Sequence, residues 1–120
     1  MDTANLIAID THTHLEVSCW NPFDNYGEEY DRAADKYFRS SRRPTMQETI
    51  DFYREKKIGF VNFTVDAETQ MGRRRIPNEE IAEAALANPD IMIAFGSIDP
   101  HKGRYGAREA RKLVEEYGVK

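Results

Sequence analysis

Apolar positions along the chain fall into short dense runs separated by stretches with wider, helical spacing. Leu6-Ile7-Ala8-Ile9 leads into Asp10-Thr11-His12-Thr13-His14. So continuous an apolar start predicts a strand over 6–14, covered on both faces as in a parallel sheet. Thr45 with Glu48 three residues on, just after Pro44, is a capping-box signature. Met46, Ile50 and Tyr53 follow at helical spacing, so an amphipathic helix should run to Lys56 or Lys57, with Gly59 at the turn. A second strand is expected over 60–65, with Val61, Phe63 and Val65 on one face and Asn62, Thr64 and Asp66 on the other. That polar face either looks into a cavity or holds satisfied buried hydroxyls. Asn78 is placed to cap a helix containing Ile81, Ala84, Ala85 and Leu86, which stops before Asn88-Pro89.

The third strand is expected over 91–98, ending in Asp99-Pro100-His101-Lys102-Gly103, where Asp99 can organise the turn. A last helix presents Ala107, Ala110, Leu113, Val114 and Tyr117 as one stripe, with Arg111 and Glu115 as an outer i,i+4 pair and Gly118 as terminator. Val119-Lys120 would begin another strand. The order is β-α-β-α-β-α, which implies a parallel sheet with right-handed crossovers. The fold class expected is α/β: the N-terminal β-α units of a (β/α)8 TIM barrel, broken off before strand 4. A chain of 120 residues is one domain and too short for a closed barrel. A small complete α/β domain is the alternative.

One connection breaks this regular pattern. Residues 17–44 hold Trp20, Pro22, Phe23, Tyr26, Gly27, Tyr30, Tyr37 and Phe38 among many charges. A β-to-α turn usually needs roughly two to six residues, so this one is elaborated for a purpose. A short helix over 28–37 suits it, acting as a lid or pocket wall, or else packing on a neighbouring helix or subunit.

Composition narrows the function classes. A net charge of -4 argues against general nucleic-acid binding. The single cysteine, Cys19, excludes an intramolecular disulfide framework and suits a cytoplasmic protein. No signal peptide is expected, nor a membrane span. The glycines form neither a dinucleotide fingerprint nor a phosphate loop.

His12 and His14, two apart on a strand, point the same way and form a candidate pair of metal ligands. Neutral imidazoles suit zinc and other divalent ions; an accidental or structural histidine pair is the alternative. Asp10 has the same parity and could orient an imidazole. Glu16, also of that parity, is a pocket or substrate contact or a solvated carboxylate. His101 is at a strand end, in a pocket or in an exposed turn. Arg73, Arg74, Arg75, Lys102 and Arg104, with Arg42 and Arg43, occupy loops that gather at one end of such a sheet. They are either a solvated cluster or a site for an anion, since guanidinium forks match carboxylate and phosphate.

The strand with Asp10-x-His12-x-His14 resembles the first strand of the amidohydrolase superfamily. Ala94-Phe95-Gly96-Ser97-Ile98-Asp99-Pro100-His101 is similar to a segment of its aminocarboxymuconate-semialdehyde decarboxylase-like branch. The resemblance implies a (β/α)8 barrel with one divalent metal, often zinc, held by His12 and His14. A third histidine and an acidic residue, expected on later strands, lie beyond Lys120. It further implies decarboxylation or hydrolysis of an anionic small-molecule organic acid and a homo-oligomeric parent protein. A narrower resemblance, to the 4-hydroxyphenyl-beta-ketoacyl-CoA hydrolase family, implies an acyl-CoA substrate. Some decarboxylases of the branch carry glutamate where this chain has His12, so the histidine points away from them. A noncatalytic α/β binding or scaffold domain, or an inactive fragment, is the rival from another class.

Overall fold

Phe60, Met92 and Ala94 share one strand parity, and around them the helices assemble. A computed structural model describes residues 1, 3–21, 28–39 and 43–120. The expectations placed on Pro22, Phe23, Tyr26, Gly27 and Arg42 lie outside the described residues. Strands β1 (Ala8–His14), β2 (Ile58–Phe63) and β3 (Met92–Ala94) form a parallel sheet in the order β1-β2-β3. Helices α1 (Glu28–Phe38), α2 (Met46–Lys56), α3 (Glu68–Met71), α4 (Asn78–Ala87) and α5 (Arg104–Tyr117) connect or follow them. The fold is therefore α/β, with helices flanking a parallel sheet in a partial β-α barrel-like arrangement.

The core forms where Met46 and Ile50 of α2, Ile81 and Ala82 of α4 and Leu113 of α5 meet Phe60, Met92 and Ala94. Full burial of each large apolar side chain contributes about 1.5–3 kcal/mol. On the opposite parity Val61 of β2 is covered, but Ile9 of β1 is 44% exposed and Ile7, just before that strand, 76%. The apolar stripes of the helices are narrower than their spacing predicts, for Leu86 and Val114 remain exposed. Arg111 and Glu115 form no pair among the described residues, whereas Lys112 reaches Glu79 on α4.

The capping box forms as read: the Glu48 N–H donates to Thr45 Oγ1 at 3.3 Å, and Thr45 N–H donates to Glu48 Oε2 at 2.9 Å. Strand limits differ from expectation. β2 begins and ends earlier than 60–65, and Gly59 is inside it rather than at the turn. A Cβ there would approach Met1 Sδ to 2.7 Å and Leu6 Cδ1 to 2.9 Å, so the ends of those two side chains would have to shift. Lys57, with φ 55°, makes the turn instead.

β3 is shorter than 91–98 because a side chain takes over its pairing. Asn78 does not cap α4; it is fully buried and clasps Ser97. Its Nδ2 donates to Ser97 O and its Oδ1 accepts from Ser97 N, both at 2.9 Å. At the other end of α5, Gly118 adopts φ 65° as a terminator, and Lys120 N–H donates to Ala94 O at 3.1 Å, beside β3.

Candidate metal centre and its flanking pockets

The two histidines end β1, and an irregularity in that strand aims them. Asp10 pairs with Phe60 but Thr13 pairs with Asn62, so β1 carries one residue more than β2 across this interval. Such a bulge shifts the alternation of side chains. Asp10 and Thr13 consequently share the helix-facing parity of Phe60 and Asn62, while His14 pairs with Phe63 on the opposite parity. The equal parity expected for Asp10 and the histidines is thus broken by the extra residue.

The structure brings the imidazoles of His12 and His14 together. Their Nε2 atoms are 3.0 Å apart, and the rings meet edge to face at 4.8 Å between centroids. Both rings lean on Phe63, at 5.1 Å for His12 and 4.4 Å for His14. Nitrogens this close can share one ion, because a zinc–nitrogen bond is about 2.0–2.1 Å. His14 Nδ1 is buried without a hydrogen-bond partner, and a ligating histidine ordinarily donates from its second nitrogen. Among the described residues no group of three His, Cys, Asp or Glu side chains is arranged to hold an ion. The donor set therefore fits a metal as a pair, not as a complete cage.

Asp10 braces the strand from the helix side. Its Oδ1 accepts from the His12 backbone N–H at 3.1 Å, and its Oδ2 accepts from the Tyr53 hydroxyl at 2.7 Å. The Tyr53 bond, with the His12 N–H, holds the Asp10 carboxyl below its ordinary value. Burial, and then Asp10, push the Tyr53 phenol from 10.0 up to about 12. Because the folded value is the higher one, this contribution to stability is intact below pH 10 and is lost as pH rises towards 12. Among the six tyrosines, Tyr53 is expected to ionise late, and Tyr53→Phe should remove that late component from the alkaline phenolate titration. An unchanged titration curve in the variant would count against the Asp10 contact.

His14 adjoins two concavities. One, open and about 530 Å³, is lined by Thr13, Pro44, Glu48, Thr49, Phe52 and Tyr53 with His14. The other, about 330 Å³, lies between His14, Glu16 and the α1 residues Tyr30, Ala34 and Phe38, with Arg43 and Pro44 at its side. The helix expected within the 17–44 excursion thus forms, and it walls a pocket. Glu16 also borders a third space of about 170 Å³, with Arg73, Arg74 and Arg75 opposite Trp20 and Asn21. Glu16 and Arg73 thereby border one space, and Glu16 alone of the two also lines a pocket with His14.

A carboxylate that the sequence reading did not single out fixes the loop after β1. Glu80 of α4, 3% exposed, accepts from Ser18 Oγ at 2.6 Å and from the Cys19 N–H. Ser18 Oγ in turn accepts from the N–H groups of Trp20 and Asn21. Cys19 is exposed and free.

The loop cations divide into two kinds. Lys102 contacts Asp66 at 2.7 Å and Glu68 at 2.6 Å, and Arg75 pairs with Asp66, Glu68 and Glu109. These two charges are internally neutralised, contrary to a shared role for every loop cation in binding an anion. Burial lowers the Lys102 value, but Asp66 and Glu68 outweigh it and leave the ammonium above its ordinary range. Arg74 remains exposed and has no ion-pair partner among the described residues. His101 is at the edge of this network. It is 66% exposed, with Nδ1 3.0 Å from Asp99 Oδ1, and neither pocket at His14 includes it. Asp99 organises its turn as expected, accepting from the N–H groups of Thr69 and His101 at 2.9 Å each.

The chain matches no protein-family model, no curated protein and no solved structure. Among the described residues no helix is long and apolar enough to cross a membrane.

Proposed function

We propose that the chain is the metal-binding N-terminal part of an amidohydrolase-superfamily enzyme of the aminocarboxymuconate-semialdehyde decarboxylase-like branch. Its three β-α units would open a (β/α)8 barrel. The observation that carries this reading is the convergence of His12 and His14, Nε2 to Nε2 at 3.0 Å, at the C-terminal end of a parallel strand. Active sites of α/β barrels gather at that end. The exposed Ile7 and Ile9, and the Lys120 N–H already bonded beside β3, agree with further strands.

His12 and His14 would hold a divalent ion, zinc by the chemistry of the donors. When bound, the ion supplies a Lewis acid that polarises a substrate oxygen or activates water. The protein's own parts have separate tasks in this reading. Phe63 backs both rings, Asp10 and Tyr53 hold the strand that carries them, and Glu16 with Arg73 and Arg74 border the space for an anionic organic acid or acyl-CoA. Decarboxylation and hydrolysis both remain within this scheme, the second including hydrolysis of an aryl ketoacyl-CoA. The rival reading is a noncatalytic metal-binding or scaffold domain, favoured by the lack of a third ligand beside the pair among the described residues.

Zinc titration of the chain tests the centre. Uptake of one ion is expected, weakened at least about tenfold by His12→Ala or His14→Ala. Equal uptake by the double variant would sink the metal reading. Product analysis then separates carbon dioxide release from hydrolysis, and zinc uptake without turnover of any organic acid favours the rival.

A further inference from the structure

Glu16 stands between two pockets of opposite character, and the contrast defines a ligand. On one side, Tyr30, Ala34 and Phe38 recur every four residues and so form a single stripe along α1. This stripe is not used in the core, since Tyr30 is 42% and Phe38 78% exposed. It faces a space of about 330 Å³ floored by His14 and Glu16. Among the described residues that line this pocket the cation is Arg43, which pairs with Asp31 and lies over the Tyr30 ring at 5.1 Å. Its charge is engaged in fastening the wall, so this pocket suits an uncharged aromatic ring.

On the other side of Glu16 is the space of about 170 Å³ that Arg73, Arg74 and Trp20 border. Arg75 is neutralised by acidic neighbours, while Arg74 is exposed and has no ion-pair partner among the described residues. The loop opposite is held in shape before any ligand arrives, through the Glu80–Ser18 bond and the bonds from Trp20 and Asn21 to Ser18. This end suits an anion. A carboxylate in the middle repels negative charge and accepts a hydrogen bond, which sets the character of whatever crosses it.

We infer that the two pockets form one site for an elongated aryl anion: ring against α1, a hydrogen-bond-donating linker over Glu16, and a carboxylate at Arg74. The inference rests on the proposed function for its organic-acid ligand, and it needs no metal. Volume agrees, since a ring fits the larger space and a carboxylate the smaller.

Trp20 is the chain's single tryptophan and borders the anion end, so its fluorescence reports occupancy. The probe is hippurate, an aryl amide with a terminal carboxylate, added to chelator-treated protein. A saturable change with Kd of about 1 mM or tighter is expected. Hippurate methyl ester, without the charge, should bind about tenfold more weakly. Arg74→Gln should weaken hippurate about tenfold and leave the ester unchanged. Ala34→Gln, which fills the ring pocket from an exposed helix, should remove binding of both, with far-UV circular dichroism unchanged for either variant. Absence of a saturable change, equal affinity for acid and ester, or an Arg74→Gln protein that binds hippurate normally would each overturn the inference. Zinc uptake is measured separately. Hippurate binding without zinc uptake removes only the metal reading, and zinc uptake without hippurate binding removes only this one.

Discussion

Replacing Asp66 with alanine is expected to destabilise the chain by about 3 kcal/mol, the lower end of the range for breaking a buried ion pair. The Asp66 side chain is fully buried, and its Oδ2 is shared by two donors, Lys102 Nζ at 2.7 Å and the Asp99 N–H at 2.9 Å, with Arg75 Nε 3.5 Å away as an ion-pair contact. Truncation leaves the Asp99 N–H without its acceptor, while Lys102 retains Glu68, and Arg75 retains Glu68 and Glu109. Those remaining carboxylates keep the loss from reaching the upper end. Asp66→Asn keeps an acceptor oxygen and should cost less. Urea unfolding with an unchanged slope reads the difference directly; a loss under about 1 kcal/mol would show that the cluster is solvated rather than structural.

The same cluster sets the response to acid. Burial raises the Glu68 carboxyl, but Lys102 and Arg75 outweigh it and hold it below 4.5. The bonds from Thr69 hold Asp99, with the help of His101, well below 3.8. Both folded values lie under the unfolded ones, so their stabilisation is present above that range and is lost as pH falls through it. The cluster ties the loop after β2 to the turn after β3, which is where a barrel-like sheet would keep the edge of its site. Two loop cations are thereby used in holding the scaffold, and the exposed Arg74 borders the pocket.

Local signals carried much of the fold. The capping box at Thr45, the terminator at Gly118 and the apolar runs of the strands all act over a few residues, and they were legible for that reason. The interactions that moved the boundaries act over distance. Nothing near residue 91 announces that Asn78 will clasp Ser97 and end β3 early. Lys102 reads as a loop cation because its partner Asp66 is on another strand end, 36 residues away, and Arg75 because its partner Glu109 is on α5, 34 residues away. Glu80 is one of two acidic residues in the first turn of α4, and no nearby residue marks it as the buried anchor of a loop 62 residues earlier. At the candidate site, the period-two spacing of His12 and His14 did anticipate their proximity. The bulge that turns Asp10 to the helix side left no mark in the sequence, since it depends on register with β2.

Phe60→Ala is expected to cost about 3–5 kcal/mol, as for other fully buried aromatics. Phe60 has no exposed surface and stacks on Tyr53 at 4.5 Å, with the ring planes 19° apart. Tyr53 donates to Asp10, and Asp10 receives the His12 N–H, so a core aromatic is linked through these contacts to the histidine pair. Removing the ring opens a cavity under Tyr53 and lets water reach its hydroxyl. Burial is the first cause of the raised phenol value, so in the variant Tyr53 should ionise nearer its ordinary value of 10.0. Phe60→Leu keeps most of the volume, and both effects should shrink together. A variant that unfolds more easily while Tyr53 still titrates near 12 would separate the core from the site. The chain from Phe60 to His12 would then be packing alone, with no influence on how the histidines are held.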